Sequence, residues 1–130
     1  MEFFAPCPRG LEPVLADELA AVGAGDVNVV HGGVAFAGDM AVCYAANLES
    51  RVASRVLWRV GHAPYRSEKD LYAAARELKW NEWFDVRRSI RVNLSAIRSP
   101  VKSLDFVTLR IKDAVCDAFR EACGQRPDVD

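Results

Sequence analysis

The order of short periodic segments in the first sixty or so residues constrains the fold more than any other feature. Residues 2–5 are apolar, and Pro6-Cys7-Pro8-Arg9-Gly10 forces a turn after them. Leu11, Val14, Leu15, Leu19 and Val22 recur at helical spacing, with Pro13 in the first turn and Gly23 placed to end the helix. Residues 27–30 and 34–37 are strand-like and flank His31-Gly32-Gly33, a hairpin signal. Asp39 is a good N-cap for a helix to about Ser50, with Met40, Tyr44 and Leu48 as its apolar face. Residues 55–60 form a last, β-branched strand. The order β-α-β-β-α-β predicts an α+β, ferredoxin-like domain.

A second unit begins near Ser67. Residues 70–80 read as a helix with Leu71, Ala74, Ala75 and Leu78 on one face, and residues 81–84 as a short turn. From Ser89 to Ala96 the chain alternates. Ile90, Val92, Leu94 and Ala96 share one face, and Arg91, Asn93 and Ser95 the other. That pattern predicts a half-buried strand. Ser103 is placed to cap a helix running to about Cys123, whose stripe is Leu104, Val107, Ile111, Ala114, Val115, Ala118 and Ala122. Gly124 ends it. A lone strand is not a finished domain. The expectation is a piece of a larger domain, or a strand that joins another sheet or chain.

Charge separates along the chain although the net value is only −1. Residues 1–50 hold seven acids and one base, Arg9. Residues 87–126 hold nine Lys and Arg against four acids. A polyanion orients such a molecule as well as attracting it, so RNA or DNA is the first partner to consider. No apolar run is long enough to cross a bilayer, and Met1-Glu2-Phe3-Phe4 does not open a signal peptide, so a cytoplasmic location with no membrane partner is expected. Cys7, Cys43, Cys116 and Cys123 show no metal-ligand spacing, and reduced thiols are expected. Neither a catalytic group nor a metal site is expected.

An RNA grip needs cations for phosphates and hydrogen-bonding groups for 2′-hydroxyls and bases. Arg91, Asn93 and Ser95 supply both from one strand face. Arg98, Lys102 and Ser103 sit in the loop before a helix N-terminus, where backbone N–H groups favour phosphate. Arg110 and Lys112 follow on the helix and point differently, so at most one is expected to face the same ligand. Trp58, Trp80 and Trp83 are read as packing residues, His31 as a turn residue, and His62 as surface.

Three matches, in this order along the chain, resemble a known family. Phe3-Phe4-Ala5-Pro6-Cys7-Pro8-Arg9-Gly10-Leu11-Glu12 is similar to the opening of the bacterial 23S rRNA guanine-N2 methyltransferases. Arg51-Val52-Ala53-Ser54-Arg55-Val56-Leu57 matches the same family. Asp70-Leu71-Tyr72, Leu78-Lys79-Trp80 and Trp83-Phe84, with the segment 111–119, resemble the THUMP domain. The resemblance implies a ferredoxin-like domain over 1–65 and a THUMP domain over 66–130, its last strands falling beyond Asp130. It implies structured RNA as partner, 23S rRNA first. In such enzymes S-adenosylmethionine binds a separate methyltransferase domain. Here no glycine-rich cofactor turn follows a strand, and this chain alone is expected not to methylate.

Other readings compete. THUMP domains also serve enzymes that thiolate or methylate tRNA. Arg9 beside Gly10 suggests a small acylphosphatase-like hydrolase. The acidic first helix and an unpaired strand suggest a protein-interaction module. Oligomeric state is left open by the residues alone.

Overall fold

The computed structural model describes residues 1–130. Contacts divide it into two compact units, Met1–Val60 and Gly61–Asp130.

In the first unit the elements run β1 (Glu2–Pro6), α1 (Glu12–Ala21), β2 (Gly25–Val30), β3 (Gly33–Ala37), α2 (Met40–Glu49) and β4 (Leu57–Arg59). The sheet order is β2-β3-β1-β4, and every neighbouring pair is antiparallel. β3 therefore lies between β1 and β2, the split βαβ arrangement that the element order predicts. Glycine at position 33 is a steric requirement. A Cβ there would stand 2.5 Å from the Ala5 carbonyl oxygen and 2.6 Å from the Phe4 ring.

Alternation along β1 and β3 turns Phe3, Ala5, Val34 and Phe36 to one face, where they meet Leu15 and Leu19 of α1 and Ala46 of α2. Phe3 and Phe36 are paired in register and their rings stack at 5.3 Å. Burying each large side chain contributes roughly 1.5–3 kcal/mol. Asp39 caps α2 as its sequence predicts, accepting a hydrogen bond from Val42 N at 3.0 Å. The inward face of α2 differs from expectation. Val42, Cys43 and Ala46 pack on the sheet, while Tyr44 and Leu48 face solvent. This helix is apolar nearly all round, so spacing alone does not select a face.

In the second unit α3 (Glu68–Arg76), α4 (Trp80–Trp83) and α5 (Leu104–Cys123) surround a core of Ala75, Val107, Ala114, Val115, Cys116 and Phe119. The Asp70 carboxylate accepts from the Ser67 and Arg66 backbone N–H groups, which starts α3 slightly earlier than its apolar spacing suggests. Ser103 caps α5 by accepting from Phe106 N at 3.3 Å, and Gly124, at φ +77°, closes it in the left-handed conformation. Trp80 donates its indole N–H to Ala75 O at 2.7 Å and meets Trp83 edge-on, and Phe84 packs on Phe119 at 5.1 Å. Trp80 and Trp83 are thus packing residues. The four cysteines are free thiols.

The predicted strand 89–96 is corrected by the structure. Only Ile90 forms a bridge, parallel to Val129, with Ile90 N donating to Asp128 O and Asp130 N to Ile90 O, both at 2.8 Å. A ladder needs a second backbone alongside, and only residues 128–130 run there. The facial alternation survives without the ladder. Arg91, Asn93 and Ser95 are exposed, and Val92 and Leu94 are half-buried.

Candidate nucleic-acid interface

The stretch 88–103 combines extended backbone with unpaired cations. Arg91, Arg98 and Lys102 are exposed, and none takes part in an ion pair. Arg91 and Asn93 line an open cleft of about 430 Å³, shared with Arg88, Trp80, Phe84 and Ile111. The alternating pattern does not reach Arg88, which falls just before it. Its signal was adjacency: the basic pair Arg87-Arg88 leads directly into Ser89. Arg87 is already engaged. Its guanidinium grips Asp85 at 2.9 and 3.2 Å, and those bonds hold the Asp85 carboxyl below the usual carboxylate range.

Ser95 lies further along, beside a second cavity of about 250 Å³ lined by Leu94, Ser99, Tyr65 and Val101. The loop that follows is pinned by Ser99. Its hydroxyl accepts from the Tyr65 hydroxyl at 2.9 Å and from Val101 N at 3.2 Å. Arg98, immediately before, has φ +54°. That is the left-handed region, which a non-glycine residue enters only at a cost. Arg98 is exposed at the start of a loop whose end, Ser103, caps α5. The Ser103 hydroxyl is committed to its cap. The first turn of α5 presents N–H groups and the positive end of the helix dipole, offset in part by Asp105.

Arg110 and Lys112 stand apart from this surface. Lys112 Nζ pairs with Asp113 at 2.6 Å, and Arg110 lies 3.8 Å from the other Asp113 oxygen with its guanidinium over the Tyr72 ring at 4.3 Å. Tyr72 in turn donates a short hydrogen bond to Asp117, and that bond pushes its phenol upward in pKa. Arg76 and Glu121 pair beside it. These groups form a polar seam that joins α3 to α5, so both cations have intramolecular partners. Sequence spacing shows that Arg110 and Lys112 share a helix, but not that one aspartate serves both.

Arg9, the candidate of the hydrolase reading, is held by His31, with 2.7 Å between the guanidinium and the imidazole Nε2. Glu12 accepts from Gly10 N at 3.0 Å and places a carboxylate at the start of α1. Neither contact builds a phosphate cradle. No group of three or more His, Cys, Asp or Glu is placed to hold a metal. No helix is long and apolar enough to cross a membrane.

Comparison with known proteins agrees with this architecture. Residues 2–57 match the RlmL ferredoxin-like domain, and residues 65–130 match the THUMP domain. The chain is 40% identical over 130 residues to a ribosomal RNA large subunit methyltransferase K/L of Syntrophotalea carbinolica, and 40% identical over 129 residues to one of Aeromonas salmonicida. It spans 18% of the length of each. Among solved structures it resembles a predicted N6-adenine-specific DNA methylase from Listeria monocytogenes, with TM-score 0.84 and 26% identity over 93% of this chain and 32% of that one. A possible methylase from Clostridium difficile shares the fold at TM-score 0.88 and 20% identity, over 98% of this chain and 35% of that one. The chain therefore belongs to the THUMP family, carrying that domain over residues 65–130 behind an RlmL-type ferredoxin-like domain.

Proposed function

We propose that this chain is the RNA-gripping module of an enzyme that methylates guanine N2 in 23S rRNA. The observation that carries this reading is the row Arg91, Arg98 and Lys102, exposed, without ion-pair partners, and interleaved with Asn93 and Ser95. Cations of this kind neutralise phosphates, and the amide and hydroxyl suit 2′-hydroxyls and base edges. Arg88 joins the row at its near end. Ser103 supports the loop as a cap, Arg110 contributes through the α3–α5 seam, and Lys112 is paired with Asp113 on its own helix.

The relatives named above are large-subunit rRNA methyltransferases, which favours 23S rRNA over tRNA as the target. A cytoplasmic location fits ribosomal RNA as the target. S-adenosylmethionine would be bound by a catalytic part outside these residues, and this chain would present RNA to it.

The test is a salt titration of binding to a structured 23S rRNA fragment. Each phosphate contact contributes about 0.7–0.9 to the slope of log K against log salt. Changing Arg91, Arg98 and Lys102 together to Ala should reduce that slope by about 2–3. Arg110→Ala should leave it nearly unchanged. An unchanged slope in the triple variant would remove these residues from the interface. Equal affinity for a tRNA and the 23S fragment would remove the rRNA assignment.

A further inference from the structure

The Pro6 end of β1 collects cations that lie far apart in sequence. Cys7 N donates to Gly32 O at 3.0 Å on one side of the strand, and Ser54 N donates to Pro6 O at 2.8 Å on the other. The β2–β3 turn and the segment leading into β4 therefore flank this end, each about one strand spacing, roughly 5 Å, from β1. Arg9 and His31 meet here, with 2.7 Å between the guanidinium and Nε2, and Arg55 follows Ser54. All three are exposed, and neither arginine makes an ion pair. The acids of this unit lie mostly elsewhere. Glu2 pairs with Ala37 at the opposite end of the sheet, Gly25 beside Asp26 does the same, and Gly38 beside Asp39 donates to Met1 O. Glu18 is occupied by Ser50 and Arg51, Glu49 lies in a groove with Ala21 and Val22, and Asp17 is further along α1. Glu12 shares the Pro6 end, and its carboxylate accepts from Gly10 N.

We propose that Arg9, His31 and Arg55 form a second contact for the RNA backbone, with one phosphate bridged by Arg9 and protonated His31 and a neighbouring phosphate met by Arg55. A guanidinium only donates, so in the Arg9 contact the imidazole is neutral and Nε2 accepts. Protonation ends that contact and leaves two adjacent cations. A phosphate accepts from both, so binding draws a proton onto His31. The groups are exposed and enclose nothing, which suits a polyanion laid across the surface rather than a small phosphate ester. The charged and titratable groups facing His31 are Arg9, Glu12, Arg55 and the buried Cys7 thiol. This inference rests on the RNA reading but shares no residue with 88–103.

The full chain is titrated with the structured 23S rRNA fragment over a salt series at about pH 8 and about pH 6, within the range where an imidazole ordinarily changes charge. Affinity should rise about two- to tenfold at the lower pH, as uptake of up to one proton on binding allows. His31→Gln keeps an acceptor for Arg9 but does not titrate, and should abolish the rise. His62→Gln, at the other of the two histidines, should retain it. Arg9→Ala and Arg55→Ala should each reduce the slope of log K against log salt by about 0.7–0.9. Thermal unfolding should stay unchanged in these variants, as expected for exposed positions. Salt-dependent binding whose slope is the same in both arginine variants as in the parent chain overturns this proposal and leaves the RNA reading standing. So does a flat pH response, or one that persists in His31→Gln. Binding that ignores salt altogether overturns both.

Discussion

Arg98 offers a prediction whose sign depends on one backbone angle. At φ +54° it occupies the left-handed region, where an L-residue with a Cβ is disfavoured by about 1–2 kcal/mol. Arg98→Gly and Arg98→Ala remove the same charge, so their difference isolates the backbone. Glycine relieves the Cβ clash but adds about 0.5–1 kcal/mol of unfolded-state entropy. The net difference favours Gly over Ala by about 0.5–1 kcal/mol. In a unit of this size that corresponds to a Tm gap of roughly 2–8 °C. Were φ negative here, Ala would instead be the more stable variant, by about 0.4–1 kcal/mol. Urea or thermal unfolding followed by tryptophan emission reports on this unit through Trp80 and Trp83. Both variants should lose RNA affinity equally, because both lack the guanidinium. Ala as stable as Gly, or more so, would refute the strained loop. Unequal RNA binding would show that the backbone, and not only the charge, sets the interface.

Two further outcomes test the scaffold. Phe119 is fully buried and packs on Phe84, so Phe119→Ala should cost about 3–5 kcal/mol in urea denaturation; a cost near zero would mean that the α4–α5 core is not formed. Glu18 has its carboxyl held below the ordinary range, first by the hydrogen bond from Arg51 N and then by Ser50, against some opposing burial. A depressed carboxyl contributes stability that is present above its unfolded value and lost as pH falls through the folded one. Glu18→Gln should therefore flatten the acid limb of the stability profile below about pH 4.5. An acid limb identical to that of the parent chain would separate Glu18 from acid unfolding.

Much of the candidate site was legible because it is local. The alternation from Arg91 to Ser95 places like residues on one side of any extended backbone, whether or not a ladder forms. The Asp39 and Ser103 caps act within three residues of themselves and appear as expected. Arg88 lies outside the alternating pattern, and its place in the cleft depends on Trp80 and Phe84, which arrive from another element. Arg110 and Lys112 read as candidate RNA contacts because nothing in a linear pattern reveals that Tyr72, 38 positions before Arg110, supplies the ring beneath it.

The sequence by itself determined the order of elements, their caps and turns, and the separation of charge between the two ends. Each is set by neighbours within a few residues, where backbone sterics, hydrogen-bond reach and periodicity act. Tertiary structure alone decided which side of α2 is buried, that residues 89–96 pair only at Ile90, and which cations remain without an ion-pair partner. Those outcomes depend on what lies across a gap in space, and a buried face, a ladder or an ion pair exists only when a distant segment arrives to complete it.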